Sequence, residues 1–126
     1  MIPDKKNIYI IDDDDSVCRA LRCLLETFEF EVSVFRSVER YISEALNDTH
    51  GVLILDIHLP GVSGLEALKW FVRLGNKRPI IVVSADTSDE LLEHVLKAGA
   101  AGYFQKPVCG TALIDLINKV YTIKKD

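Results

Sequence analysis

The stretch Gly51-Val52-Leu53-Ile54-Leu55-Asp56-Ile57-His58-Leu59-Pro60-Gly61 constrains the fold more than any other part of the chain. Four consecutive apolar residues run into a carboxylate, and Pro60-Gly61 predicts a sharp turn just beyond it. A run this short and uniformly apolar reads as a strand covered on both faces, the habit of parallel sheets. In open sheets of that kind, ligands and chemistry gather outside the carboxyl ends of the strands. Asp56 stands at such an end and is the first candidate functional residue.

The flanking sequence supplies four more strands and five helices. Asn7 to Ile11 is a β-prone run that ends in four aspartates, Asp12 to Asp15. Val17, Leu21, Leu24, Leu25 and Phe28 then recur at steps of three and four, which predicts a helix. Asp14 or Asp15 suits its N-cap, where a carboxylate accepts orphan amides and complements the dipole. Glu31 to Phe35 alternates polar and apolar residues, as an edge strand would. Ser37 to Leu46 is helical, with Val38, Tyr41, Ile42, Ala45 and Leu46 facing inward. Ser63-Gly64-Leu65-Glu66 has the form of a capping box opening a third helix, which Gly75 closes. Pro79 to Ser84 is a second fully apolar strand, and Asp86 to Ser88 lead into a helix ended by Gly99. Tyr103-Phe104 form a brief fifth strand before Lys106-Pro107, and Thr111 to Tyr121 the last helix.

Five strand–helix pairs without repeat or linker imply right-handed crossovers and a sheet covered on both sides. The expected fold is α/β: a flavodoxin-like (βα)5 three-layer sandwich with a parallel five-stranded sheet in order 2-1-3-4-5. A length of 126 residues fits one domain, residues 1–126, with about 6–122 as its folded core.

Composition excludes several functions. The formal net charge is −4 and no stretch is strongly basic, which argues against direct nucleic-acid binding. Lys124-Lys125 reads as a solvated tail. The N-terminus lacks the apolar core of a signal peptide, and no apolar run approaches membrane-spanning length, so a cytoplasmic location with no membrane contact is expected. Cys18, Cys23 and Cys109 are odd in number without CxxC spacing, which predicts free thiols. Cys18 and Cys23 fall on different helix faces. Asn47-Asp48-Thr49 matches a glycosylation sequon by chance. His50 and His94 read as surface residues, and Trp70 as partly buried at the edge of the third helix.

The predicted order places the first and third strands side by side, bringing Asp12 and Asp13 next to Asp56. Two carboxylates ~4 Å apart cost on the order of 4 kcal/mol at the effective dielectric of a protein surface. Such a cluster needs a cation or shifted pKa values. Mg²⁺ suits it, because it takes hard oxygen ligands and keeps several waters or phosphate oxygens. The fourth and fifth strands also end in groups suited to phosphate, the Ser84 hydroxyl and the Lys106 ammonium. Either one alone reads equally well as an ordinary turn or loop residue; together at adjacent strand ends they favour an anion site.

Ile11-Asp12-Asp13-Asp14, Leu55-Asp56 through Gly64, Val83-Ser84-Ala85 and Gly99 through Lys106-Pro107 together resemble the receiver domains of two-component response regulators, with their chemotaxis-regulator-like fold. The resemblance covers essentially the whole chain. It implies that Asp56 is the phosphoacceptor for a phosphoryl group from a histidine kinase or phosphotransfer protein. It also implies that Asp13, Asp56 and the backbone carbonyl of His58 hold Mg²⁺, with Asp12 contributing through water. Lys106 would pair with Asp56 and then with the phosphoryl group, and Ser84 would hydrogen-bond another phosphoryl oxygen. Tyr103 matches the aromatic switch position. His58 and Asp86 match positions that tune phosphoryl lifetime, and the Lys106-Pro107 peptide is expected to be cis.

Such a domain is a switch rather than an enzyme: it catalyses only its own phosphorylation and dephosphorylation. It changes the surface of its fourth helix, fifth strand and fifth helix, acts on an output domain or partner, and in some cases homodimerises when phosphorylated. Alignment and charge neutralisation are what phosphoryl transfer requires. A full switch needs a differential of roughly 5.5 kcal/mol.

One departure is Cys18, where relatives often carry Arg; Arg19 stands one step round the helix. A Mg²⁺-dependent aspartyl phosphatase of the haloacid dehalogenase type is a competing reading, satisfied in letters by Asp12-Asp13-Asp14 but without a cap insertion. A docking-only pseudo-receiver is disfavoured, because every motif position is filled. The chain stops after its fifth helix, as a stand-alone receiver or one cut from a longer regulator would. Its motifs look most like receivers that precede a helix-turn-helix output domain, which brings transcriptional control into view.

Overall fold

The computed structural model describes residues 6–46, 50–58, 63–85 and 88–124. The Pro60-Gly61 turn, Asp86, the Asn47-Asp48-Thr49 sequon and Lys125 lie outside the described residues. The elements follow in strict alternation: β1 (Asn7–Ile11), α1 (Asp15–Thr27), β2 (Glu31–Phe35), α2 (Val38–Ala45) and β3 (Val52–Asp56). They continue with α3 (Gly64–Arg73), β4 (Ile80–Ser84), α4 (Asp89–Lys97), β5 (Gly102–Gln105) and α5 (Gly110–Lys124). All four strand pairings are parallel and the sheet order is β2-β1-β3-β4-β5, as expected. The expected flavodoxin-like (βα)5 sandwich is therefore the fold.

Period-two alternation inside the apolar strands divides the core into two layers. Val52 and Ile54 of β3 and Ile81 and Val83 of β4 join Leu21 and Leu25 of α1 and Leu113 and Ile117 of α5. Leu53, Leu55, Ile80 and Val82 point the other way, into Tyr41 of α2, Leu68 and Phe71 of α3 and Val95 of α4. Every residue of β3 and β4 is buried, whereas β2 at the edge is mostly half-buried. Both the uniformly apolar strands and the alternating edge strand behave as their sequences predict.

Helix starts are set by side-chain caps. Asp14 accepts the Ser16 amide at 2.9 Å and the Val17 amide at 3.3 Å. Ser37, Ser63 and Ser88 each accept one first-turn amide of α2, α3 and α4. Gly75 and Gly99 follow α3 and α4 with φ of 84° and 113°, the left-handed conformation that glycine adopts without a Cβ penalty. After α1 the same task falls to Glu29, at φ 67°, which no turn signal in the sequence marks. The last helix starts one residue earlier and runs three residues further than the apolar pattern predicts. Trp70, at the edge of α3, keeps 38% of its surface exposed.

The amino end of the sheet holds a buried cation that sequence reasoning missed. Arg78, 3% exposed, donates to the His50 carbonyl oxygen at 2.6 Å, the Ala45 carbonyl oxygen at 2.5 Å and the Tyr41 hydroxyl at 2.9 Å. Its guanidinium lies 3.7 Å from the centroid of the Tyr9 ring, within cation–π range. The Tyr41 hydroxyl in turn donates to Asn76 Oδ1 at 2.8 Å. One side chain thus ties together the end of α2, the approach to β3 and the approach to β4.

Candidate functional site

The carboxyl ends of β1 and β3 are neighbours, with Ile11 paired to Leu55, so the residues that follow converge. Asp12, Asp13 and Asp56 each offer a carboxylate oxygen within 4.8 Å of the others. Asp12 and Asp56 are buried, at 1% and 4% exposure, while Asp13 faces solvent. Lys106, beyond β5, reaches across the strand ends. Its Nζ lies 3.2 Å from Asp12 Oδ2 and 3.3 Å from Asp56 Oδ1. The sequence reading paired Lys106 with Asp56; the contact to Asp12 was not foreseen.

The loop backbones are fixed by the same carboxylates. Asp12 Oδ1 accepts the Asp14 amide at 2.9 Å, and Asp56 Oδ1 accepts the His58 amide at 3.2 Å. Burial pushes the Asp12 carboxyl above the usual range, and the nearby Asp56 charge adds to it; the Asp14 amide and Lys106 oppose the rise. For Lys106 burial favours the neutral amine, yet the charges of Asp12 and Asp56 outweigh it and raise its pKa. Three carboxylates and one ammonium leave two negative charges facing one small opening. The donor set is oxygen only, which fits a hard divalent cation such as Mg²⁺ rather than zinc.

Gly64 makes this geometry sterically feasible. A Cβ there would sit 2.3 Å from Ile57 Cα and 2.8 Å from the Asp56 carbonyl oxygen, both unyielding backbone atoms. The Gly64 amide donates to the Ile57 carbonyl oxygen at 2.7 Å. The start of α3 is therefore pressed against the residues that carry Asp56.

The other expected site residues fall around the same edge. Ser84 is the last residue of β4 and fully buried; Asp56 is in register with Val83, one residue before it. Tyr103 is half-buried in β5, in register with Val82 and packed toward the α2–α4 layer. His58 is exposed. The Lys106-Pro107 peptide is cis, as the resemblance implies. Cys18 is buried, and its thiol donates to the Asp12 carbonyl oxygen at 3.4 Å. Arg19, considered as its stand-in, is exposed on α1. Asp14 caps α1 and takes no part in the carboxylate cluster.

A parallel 2-1-3-4-5 sheet with an acidic cluster and a lysine at its carboxyl edge is the arrangement expected of a receiver domain. The family model for the response regulator receiver domain matches residues 8–118, and the chain belongs to that family. Among curated relatives it is similar to the transcriptional regulatory protein TdiR of Thauera aromatica, 29% identical over 119 residues, covering 94% of this chain and 52% of TdiR. It is 35% identical over 100 residues to the response regulator protein TodT of Pseudomonas putida, covering 79% of this chain and 44% of TodT. The chain thus spans about half the length of these relatives. Among solved structures, the CheY-like receiver domain protein from Methanospirillum hungatei JF-1 superposes with a TM-score of 0.87 at 27% identity, covering 97% of this chain and 98% of that one.

Proposed function

We propose that this domain is a phosphoacceptor switch in which Asp56 takes a phosphoryl group from the phosphohistidine of a histidine kinase or phosphotransfer protein. The observation that carries this reading is the Lys106 ammonium within 3.3 Å of both Asp12 and Asp56, beside an exposed third carboxylate. In the transfer an Asp56 carboxylate oxygen forms a bond to phosphorus as the phosphorus–nitrogen bond breaks, and the electron pair leaves with the imidazole. Lys106 holds Asp56 in place beforehand and afterwards turns its charge to a phosphoryl oxygen. Ser84 supplies a hydroxyl to another phosphoryl oxygen.

Asp13, Asp56 and the His58 carbonyl would hold Mg²⁺, with Asp12 acting through water. When bound, that ion supplies neutralisation of charge on the phosphoryl oxygens. Asp12 and Asp56, buried side by side, gain most from such neutralisation, and exposed Asp13 offers the approach. His58 and Asp86 set the lifetime of the acyl phosphate in this reading.

Movement of Ser84 toward the phosphoryl group would draw Tyr103 inward and alter the surface formed by α4, β5 and α5. Leu92 and Leu96, 36% and 46% exposed on α4, belong to that surface, which serves a partner, an output domain or a second copy. Relatives named as transcriptional regulators support transcription as the output. Residues 1–126 act as one receiver unit in this account. Its location is the cytoplasm, the compartment of the proposed phosphodonor; among the described residues no helix is long and apolar enough to cross a membrane. The aspartyl phosphatase alternative loses support because its second motif aspartate, Asp14, is engaged in capping α1.

The test is incubation with Mg²⁺ and acetyl phosphate followed by intact mass measurement. A single phosphoryl adduct is expected, absent in Asp56→Asn and abolished by chelation. An unmodified mass under all conditions overturns the proposal, as does turnover of a generic phosphate ester without an adduct.

A further inference from the structure

We propose that the cleft between α1 and β2 is a binding site for a compact polyanion, a small molecule carrying two or more negative charges on phosphate or carboxylate groups. The cleft has a volume of about 350 Å³ and is lined by Asp15, Cys18, Arg19, Arg22, Val34 and Arg36. That is the lower end of the range for small-ligand sites, enough for a compact molecule.

Three arginines line this one cavity. Arg19 and Arg22 are three residues apart on α1 and therefore neighbours on its surface, and like charges so placed destabilise a helix unless something answers them. Arg36 follows directly after β2. A single carboxylate, Asp15, stands among them and is paired with Arg36. Among the described residues no carboxylate pairs with Arg19 or Arg22. Two positive charges therefore remain in a chain whose formal net charge is −4.

Two of the three cations are held in place before any ligand arrives. Arg36 pairs with Asp15 at the surface, and Arg22 donates to the Val32 carbonyl oxygen at 3.2 Å. Preorganisation of this kind lowers the entropic cost of binding. The planar fork of a guanidinium matches carboxylate and phosphate oxygens two at a time. The cavity wall formed by buried Cys18 and half-buried Val34 is uncharged. Cys18 contributes shape rather than reactivity: burial and the nearby Asp12 charge raise its thiol pKa. Three arginines round one cavity do not form the extended basic stripe that a nucleic acid requires.

The site is distinct from the acidic edge, since none of Asp12, Asp13, Asp56 and Lys106 lines the cleft. It does not depend on phosphorylation of Asp56. The experiment titrates the full chain, freed of divalent cations on a chelating resin, with inorganic pyrophosphate and with citrate by isothermal calorimetry in buffer without Mg²⁺. Saturable one-to-one binding to at least one anion is expected, weakening as salt is raised. Preference for pyrophosphate assigns a phosphate ligand, and preference for citrate a carboxylate ligand. Charge reversal by Arg19→Glu at an exposed position should weaken binding at least about tenfold, and Arg19→Gln/Arg36→Gln should do likewise. Lys106→Gln should leave it unchanged. No saturable binding by either anion, full binding in Arg19→Glu, or loss in Lys106→Gln would each overturn the proposal, the last by moving the anion to the acidic edge.

Discussion

The two ends of the sheet each hold a cation among oxygen atoms, and they use it in opposite ways. At the carboxyl end Lys106 keeps 22% of its side chain exposed and faces two carboxylates, beside a third that is open to solvent. At the amino end Arg78 is 3% exposed and faces carbonyl oxygens, a hydroxyl and an aromatic ring. Carboxylates can be protonated, ligated or phosphorylated, so the balance around Lys106 can be changed from outside. Carbonyls and rings cannot, so Arg78 is held in a single state. The chain thus combines a fixed end with an end poised for change, and the five strands join them rigidly.

The largest expected effect lies at the fixed end. Arg78→Ala removes the hydrogen bonds to the His50 and Ala45 carbonyls and the Tyr41 hydroxyl, and leaves the buried Ala45 carbonyl without its charged donor. A loss of about 3–5 kcal/mol is expected in urea unfolding. Arg78→Lys should recover only part, because an ammonium cannot reproduce the planar fork or its stacking on Tyr9. A loss below about 1 kcal/mol for Arg78→Ala would show that the amino end is not the fixed half.

Gly64→Ala comes next and touches the changeable end through packing alone. The added methyl would meet Ile57 Cα at 2.3 Å, and backbone atoms cannot rotate away. A destabilisation of about 1–3 kcal/mol is expected, together with slower acceptance of phosphoryl groups from acetyl phosphate. Unchanged stability with an unchanged phosphorylation rate would mean that α3 can shift freely relative to Asp56, contrary to a rigid frame.

The same two ends explain how much the sequence reveals. Asp12, Asp13, Asp56, Ser84 and Lys106 are polar residues ending apolar strands, and strand order alone brings them together. Periodicity also locates all five helices, and the first four start at caps with a direct local mechanism, Asp14, Ser37, Ser63 and Ser88. Arg78 stayed hidden because Lys77-Arg78-Pro79 reads as a charged loop before a strand. Its burial depends on Tyr9, Tyr41 and His50, which are distant in sequence and signal nothing until the fold brings them together. The cleft of Arg19, Arg22 and Arg36 was invisible for the same reason, since two residues lie on a helix and one after a strand. The Lys106–Asp12 pair required knowing how far a lysine reaches across three strand ends.

The smallest effect tests the poise of the changeable end directly. Folding raises the Asp12 pKa, chiefly through burial, so the native state holds that proton more tightly than the unfolded chain does. By linkage, stability is then greatest with Asp12 protonated, falls as pH rises through the window between the unfolded value near ~3.9 and the raised native value, and stays at the lower level above it. Asparagine mimics the neutral form and can still accept the Asp14 amide through its own side-chain oxygen. Asp12→Asn is therefore expected to be more stable than the parent in EDTA at neutral pH, by about 1 kcal/mol. The difference should shrink toward zero as pH is lowered to about 4, because the parent then carries the neutral group itself. Lys106 does not reverse the sign, since it opposes the rise in Asp12 without abolishing it. A variant less stable than its parent at neutral pH would mean that the Lys106–Asp12 attraction exceeds the cost of burying the carboxylate. The carboxyl end would then be as settled as the amino end, and the contrast between them would fail.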